Sequence, residues 1–262
     1  MSFFRRLFQW LLPSTERAAQ SPHSEDPSSL KQSLARAEAQ LRETRAQTAA
    51  QSQYLDVLMH ELKNPLSVVT MALETGANNP KNVDLALRAA REMHDVLDRT
   101  LWMDRLADGR IQVRGESFDV VALIQAELDQ LSAERFDCHM PESLVVASDP
   151  GIVRVVMRNL LSNATKFSDP SQAIRVSLRE DASQGQVVLA VSNVAGPAGL
   201  PDPERMFEKY YRAPGAGYIA GSGLGMHMCK ALAQTLGARL SASVSHGVVT
   251  FTLAIPRTGV AH

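Results

Sequence analysis

The chain has 262 residues, with 27 Lys and Arg against 28 Asp and Glu, and this near-neutrality removes the basic face that a nucleic-acid binder needs. The length leaves room for two modest domains, each able to bury a core. The two cysteines, Cys138 and Cys229, lie far apart and in no metal-binding spacing, so they read as small buried hydrophobes of a reducing compartment.

The first predicted element is a short amphipathic stretch. Phe4, Leu7, Phe8 and Leu11 fall at i, i+3, i+4 and i+7, with Arg5, Arg6 and Gln9 away from them. Such a segment at 3–12 fits a peripheral contact with a membrane surface, a partner helix or the protein's own surface alike. It has no small-residue cleavage site of a secretory signal. No apolar run approaches the roughly 20 residues of a spanning helix, so the sequence reads as a cytoplasmic chain without a periplasmic sensor domain, peripheral to the inner membrane at most. Ser14 to Ser29, rich in Ser, Pro and charge, reads as a linker.

From Leu30 an Ala-, Gln- and Arg-rich helix carries Leu34, Ala37 and Leu41 on one side and runs on through the seventies. Leu55, Leu58, Leu62, Leu66, Val69 and Leu73 recur at three- and four-residue steps and predict its buried stripe. His60 is two residues from both Leu58 and Leu62, about 200° round the helix, and so faces solvent. Glu61 sets a carboxylate beside it, and Asn64, four residues on, shares its face. Pro65 removes the amide that would bond the carbonyl of Glu61, which predicts a kink or a loosened turn just after His60. Gly76 to Pro80 ends the helix. A second helix then carries Ala86, Ala89, Met93, Val96, Thr100 and Met103 as a bundle seam. Two antiparallel helices cannot bury their stripes alone, and pairing with a second copy as a four-helix bundle would.

After Gly109 the pattern predicts helices over 120–131 and 151–167, strands over 174–179 and 187–192, a loop, a helix over 224–236, and strands over 240–245 and 248–255. Ser245-His246-Gly247 reads as a hairpin turn. Helices on one face of a mixed sheet make an α/β sandwich. Asp149-Pro150 opens the second of these helices, where Asn159 and Asn163 are spaced i, i+4 and Lys166 follows three residues later. Two amide oxygens suit Mg²⁺, which keeps much of its water and shares phosphate oxygens, and a lysine suits phosphate. Gly221, Gly223, Leu224 and Gly225 open the next helix, where closely spaced glycines let backbone amides approach a polyphosphate. The loop-like Tyr210 to Gly217 before them leaves no strand for a dinucleotide-binding βαβ unit.

In this order and spacing the blocks resemble the sensor histidine kinases of bacterial two-component systems. His60-Glu61-x-x-Asn64-Pro65 resembles the phosphoacceptor box, and Asn159-x-x-x-Asn163-Ala164-x-Lys166-Phe167 the asparagine box. Gly221-x-Gly223-Leu224-Gly225 resembles the glycine box at the end of the lid, and Met206 to Arg212 the phenylalanine box. The resemblance spans about Ser29 to Pro256. It implies an α + α/β fold: a long helical hairpin forming a dimeric four-helix bundle, then an α/β sandwich ATP-binding domain of the histidine kinase/gyrase type. The implied divisions are an N-terminal segment and linker at 1–28, a dimerisation and phosphoacceptor domain at 29–112, and a catalytic domain at 113–257.

The resemblance also implies an activity: ATP-dependent phosphorylation of His60, then transfer to an aspartate of a response-regulator receiver domain. Glu61 would bond the far ring nitrogen of His60 and take up its proton. Asn163 would hold Mg²⁺, Asn159 would lie beside the γ-phosphate, and Lys166 and Arg212 would meet phosphate charge. Phe167 would line the adenine side, and Gly221, Gly223 and Gly225 would let the lid wrap the phosphates. Asn64 could orient a water for regulator phosphatase activity. A separate sensor subunit could supply the input. The sequence departs from the family where an Asp-x-Gly-x-Gly segment meets the adenine amine. Counting back from Phe207 puts Asn193 at the Asp position and Ala195 and Pro197 at the glycines, and a neutral amide makes the weaker bond. The span from Ala133 to Asp149 is short, so a strand there is expected to be abbreviated. The departures support an alternative reading, a degenerate dimeric docking module or phosphatase with weak or no ATP binding. A gyrase-type ATPase without phosphohistidine is a third.

Overall fold

A computed structural model describes residues 27–76, 78–131, 135–219 and 221–257; the amphipathic segment at 3–12 and most of the linker lie outside them. By its internal contacts the chain divides into two units, Met1–Tyr54 and Leu55–His262. The first helix, α1 (Pro27–Glu74), crosses that division. In its first part Leu34 and Leu41 are exposed, and Thr44 and Thr48 return their hydroxyls to the carbonyls of Gln40 and Thr44. Among the described residues no helix is long and apolar enough to cross a membrane.

In the second unit α1 continues without a break through Pro65, which is buried. The expected stripe is only half covered. Leu58, Leu62 and Val69 are partly buried, but Leu55, Leu66 and Leu73 are 51%, 51% and 52% exposed. The reason is the one that the pattern contains: two helices have too little facing surface to close two stripes. Asn79 caps the second helix, α2 (Pro80–Ala107), by accepting from Lys81 N at 3.0 Å. Ala89 and Val96 are its buried seam residues.

The remainder is an α/β sandwich. Five strands run in the order β2 (Phe136–His139), β4 (Ile174–Asp181), β5 (Gln186–Val194), β7 (Val248–Pro256) and β6 (Arg239–Ser245), with only the β2–β4 pair parallel. A separate antiparallel pair joins β1 (Glu116–Asp119) to β3 (Val145–Ser148). The sequence pattern missed β1 and gave one abbreviated strand where β2 and β3 both lie. Each is four residues long, too short for alternation to register. The abbreviated strand expected before Asp149 is thus two strands. Helix α3 (Val120–Leu128) is capped by Asp119, whose Oδ1 accepts from Val121 N at 2.9 Å and Leu144 N at 3.0 Å. Helix α4 (Pro150–Phe167) is capped by Asp149, and α5 (Gly225–Thr235) follows the glycine-rich turn.

Period-two alternation decides which face of the sheet the helices cover. On β7, Val249, Phe251, Leu253 and Ile255 are buried and their neighbours are not; on β5, Val187, Leu189, Val191 and Asn193 form the matching row. Met157, Leu160, Met228 and Leu232 from α4 and α5 pack on these rows. His246 and Gly247, with φ of 49° and 80°, make the tight turn expected between β6 and β7. One expectation fails: Cys138 is exposed, because it lies on edge strand β2, whereas Cys229 is fully buried.

Candidate functional site

The row on β5 ends in an amide. Alternation carries Asn193 onto the core face, where it is buried against its cross-strand neighbour Val249. Its Nδ2 donates to the Val194 carbonyl at 3.1 Å. Beyond it the chain leaves the sheet under tight control: Ala195 bridges to Ser168, and Gly196 N donates to the Phe167 carbonyl at 2.8 Å. The row and this exit form one wall of a cleft of about 130 Å³ that is partly open to solvent.

Val249, Phe251 and Met206 make its apolar lining, and Phe207 meets Phe251 edge-on at 6.4 Å. Polar side chains line the cleft as well. Asn163, Lys166 and Phe167 reach it from α4, and Arg99 reaches it from α2. An adjoining cavity between α2 and α4 shares Arg99, Asn163 and Lys166 and adds Asn159 and Trp102. The three shared side chains therefore mark where the two cavities meet.

The segment from Gly196 to Gly225 closes the cleft. Met206 and Phe207 are anchored in the core, with Lys230 Nζ 4.9 Å over the Phe207 ring. Arg212 lines the cleft, and its guanidinium donates to the carbonyls of Ala216 and Ile219, holding the loop's turn together. Gly223 has φ +72°, and a Cβ there would stand 2.6 Å from the Tyr211 carbonyl oxygen. Only glycine allows that crossing. Gly221, Gly223 and Gly225 all line the cleft.

The structure thus brings Asn163, Lys166, Phe167, Asn193, Arg212, Gly221, Gly223 and Gly225 to one cleft. Asn159 is turned aside: its Nδ2 donates to the Val155 carbonyl at 2.8 Å, and its Oδ1 sits 3.1 Å from where a Cβ on Gly225 would be. Leu224 is buried and is not among the lining residues. His60 and Asn64 are exposed on α1 and line neither cavity. Glu61 is tucked inward, with its side chain 13% exposed and Oε2 3.9 Å from Arg99 Nη2.

Among the described residues no group of three or more His, Cys, Asp or Glu could hold a metal by itself. Of the candidates, the Asn163 amide fits an ion that arrives with phosphate and keeps its water. Sequence reasoning missed Arg99, Val249 and Phe251. Arg99 belongs to no motif, and the other two look like ordinary strand residues until the sheet shows which face they occupy.

A second polar cluster joins the helical pair to the sandwich. Buried Glu127 of α3 accepts from Arg158 Nε at 2.9 Å and lies 3.4 Å from Arg154 Nε. Arg158 also stands 3.7 Å from Asp95 on α2. Hydrogen bonding to Glu127 raises the guanidinium pKa further.

Comparison with known proteins gives a consistent picture. Residues 148–259 match the family described as histidine kinase-, DNA gyrase B- and HSP90-like ATPase. The chain is 26% identical over 227 residues to the sensor protein EvgS of Escherichia coli K12, covering 80% of this chain and 19% of that protein. It is 30% identical over 219 residues to the sensor protein CreC of the same organism, covering 78% and 45%. With the sensor protein BceS of Halalkalibacterium halodurans it shares 26% identity, covering 98% and 79%. The chain thus spans less than half the length of the first two. Among solved structures, Acinetobacter baumannii histidine kinase AdeS has a TM-score of 0.54 at 18% identity, covering 76% of this chain and 98% of that one. Full-length ShkA in complex with AMPPNP has a TM-score of 0.55 at 21% identity, covering 80% and 46%. At these identities the two structures speak for the fold alone.

Proposed function

We propose that this chain, which belongs to the bacterial sensor histidine kinases, is an ATP-dependent protein-histidine kinase that phosphorylates its own His60 and passes the phosphoryl group to a response-regulator aspartate. The observation that carries this reading is that one cleft gathers an apolar lining, one buried amide, Asn193, and the polar side chains of Asn163, Lys166 and Arg99. A flat heterocycle suits the apolar lining and its amide, and a polyphosphate suits the polar side chains.

Phosphoryl transfer depends mainly on positioning and charge neutralisation. ATP is the substrate; Asn163 would hold its Mg²⁺, which would neutralise phosphate charge. Lys166 and Arg212 would add cations. The His60 ring nitrogen forms a bond to the γ-phosphorus as the bond to the β–γ bridging oxygen breaks and ADP leaves. Glu61 accepts the proton from the other ring nitrogen. Because His60 is exposed and outside the cleft, the phosphate end of the cleft must be carried to it. Asn64, exposed on the same helix, would orient water when the protein dephosphorylates its regulator.

The half-exposed leucines of α1 favour a homodimeric four-helix bundle, with dimerisation and phosphoacceptor functions at 29–112 and catalysis at 113–257. On this reading the input comes through α1, from a separate sensor subunit or the segment at 3–12. A second reading, a docking module or phosphatase that does not use ATP, is favoured by Asn193, Ala195 and Pro197 standing where the family has Asp and two glycines.

Incubating the purified protein and His60→Ala with labelled Mg·ATP separates the two. Acid-labile, alkali-stable label on the wild type alone is expected. No label on a folded wild-type dimer would transfer the assignment to the docking module or phosphatase.

A further inference from the structure

Arg99 belongs to the helical pair, yet its side chain lines the cleft of the other domain beside Asn163 and Lys166. On its other side it faces Glu61, the carboxylate next to His60, at 3.9 Å. That separation is too long for a hydrogen bond, so the pair is held by charge alone. The guanidinium is tethered at one point, Nε donating to the Asp95 carbonyl at 3.2 Å. Among the described residues its two Nη groups make no hydrogen bond within range. Both partners are largely covered, Arg99 at 21% and Glu61 at 13% exposed. The other carboxylates near it, Asp95 and Asp98, line only the adjoining cavity, and Asp95 already faces Arg158 at 3.7 Å.

Resting on the kinase reading above, we propose that Arg99 binds the terminal phosphate of the nucleotide and is thereby a positioning residue for Glu61. The chemistry follows from its placement. A guanidinium fork with free donors matches phosphate oxygens in pairs. The phosphate that faces the helical pair is the one to be transferred, because that pair carries His60, and Arg99 is the cleft-lining cation on that pair. A multiply charged anion in the cleft outcompetes a carboxylate at 3.9 Å. Arg99 then turns from Glu61 to phosphate, and Glu61 is released to accept the ring proton of His60. Occupancy of the cleft by a triphosphate is thus reported to the phosphoacceptor helix by one side chain.

The test is equilibrium titration of the full chain with Mg·ATP and, separately, Mg·ADP, for wild type, Arg99→Gln, Arg99→Lys, Glu61→Gln and the double variant Arg99→Gln/Glu61→Gln. Arg99→Gln is expected to weaken ATP about tenfold, the loss of one charged hydrogen-bonding partner, and to change ADP less than about twofold. Arg99→Lys, which keeps the charge and loses the fork, should recover part of the ATP loss. Glu61→Gln should tighten ATP when Arg99 is present and have no effect in Arg99→Gln, because the competing carboxylate matters only through the guanidinium. Unchanged ADP binding certifies the fold of each variant. Equal weakening of ATP and ADP, or no change in either, overturns the Arg99 assignment and leaves the kinase reading standing. A wild type that binds neither nucleotide overturns both.

Discussion

Asn193 Nδ2 stands 3.1 Å from the carbonyl oxygen of Val194, and that bond decides which way the amide faces. A carbonyl can only be met by the NH₂ end, so Oδ1 is the atom left to a ligand. An exocyclic amine can donate to it, as it would to a carboxylate, but to a neutral acceptor.

Asn193→Asp should therefore bind Mg·ATP about three- to tenfold more tightly than the wild type, the difference between a neutral and a charge-assisted bond. The same titration with inosine triphosphate, which carries a 6-oxo group, should show the opposite change. Asn193 can rotate its NH₂ towards the oxo group at the cost of one bond to Val194, and a carboxylate has no donor to offer. Equal responses to the two nucleotides would remove Asn193 from the purine's edge.

The Glu127 carboxylate is buried at 5% side-chain exposure between Arg158 and Arg154. Glu127→Ala removes the carboxylate shared by the half-exposed Arg154 and Arg158 and should cost about 2 kcal/mol of stability, seen as a lower urea midpoint with an unchanged slope. Because Arg158 also faces Asp95 on α2, the loss should extend to protease protection near Asp95. A midpoint within experimental error of wild type would show the cluster to be ornamental.

Asp119 sets a pH dependence. The N–H of Leu144 above all, with help from Ser143 and the first turn of α3, holds its carboxyl below the ordinary 3.8 against the opposing effect of burial. A depressed folded-state value means that the stabilisation is complete above the unfolded value and is lost as the pH falls through the folded one. Asp119→Asn keeps the capping oxygen and removes the charge. Its stability deficit relative to wild type should be constant above about pH 5 and shrink below about pH 4. Asp119→Ala should lose about 1 kcal/mol more broadly, the usual worth of a cap. A deficit independent of pH down to acid unfolding would rule out the charged cap.

Much of this site is legible in the residues because its chemistry is compressed into short segments. Asn163 and Lys166 share a helix face by spacing alone, and the need for glycine at 223 shows before its reason, the Tyr211 carbonyl, is seen. What the sequence hides is whatever depends on a long-range neighbour. Four-residue strands such as β1 and β3 exist because they pair with each other across α3, not because either favours extension strongly. Leu55 and Leu66 read as buried because periodicity shows that a face is apolar and not what covers it. Cys138 is exposed because its strand is at an edge, a fact of topology. Arg99 is the extreme case, a residue in no motif placed by helix packing between a carboxylate and a cleft.

Strand β7 comes last among the described elements but lies inside the sheet, between β5 and β6, and supplies Val249 and Phe251 to the cleft. In its pairing with β5, Pro256 meets Gln186 with the whole lid, α5 and β6 between them in the chain. During synthesis, then, the asparagine-box helix, the lid and the glycine turn all leave the ribosome before the floor on which a purine would rest. Long-range pairings of this kind form slowly and only once both strands are present. A nascent chain short of Phe251 would carry every motif of the site and no site, so nucleotide cannot assist its folding until the final strand slides into place.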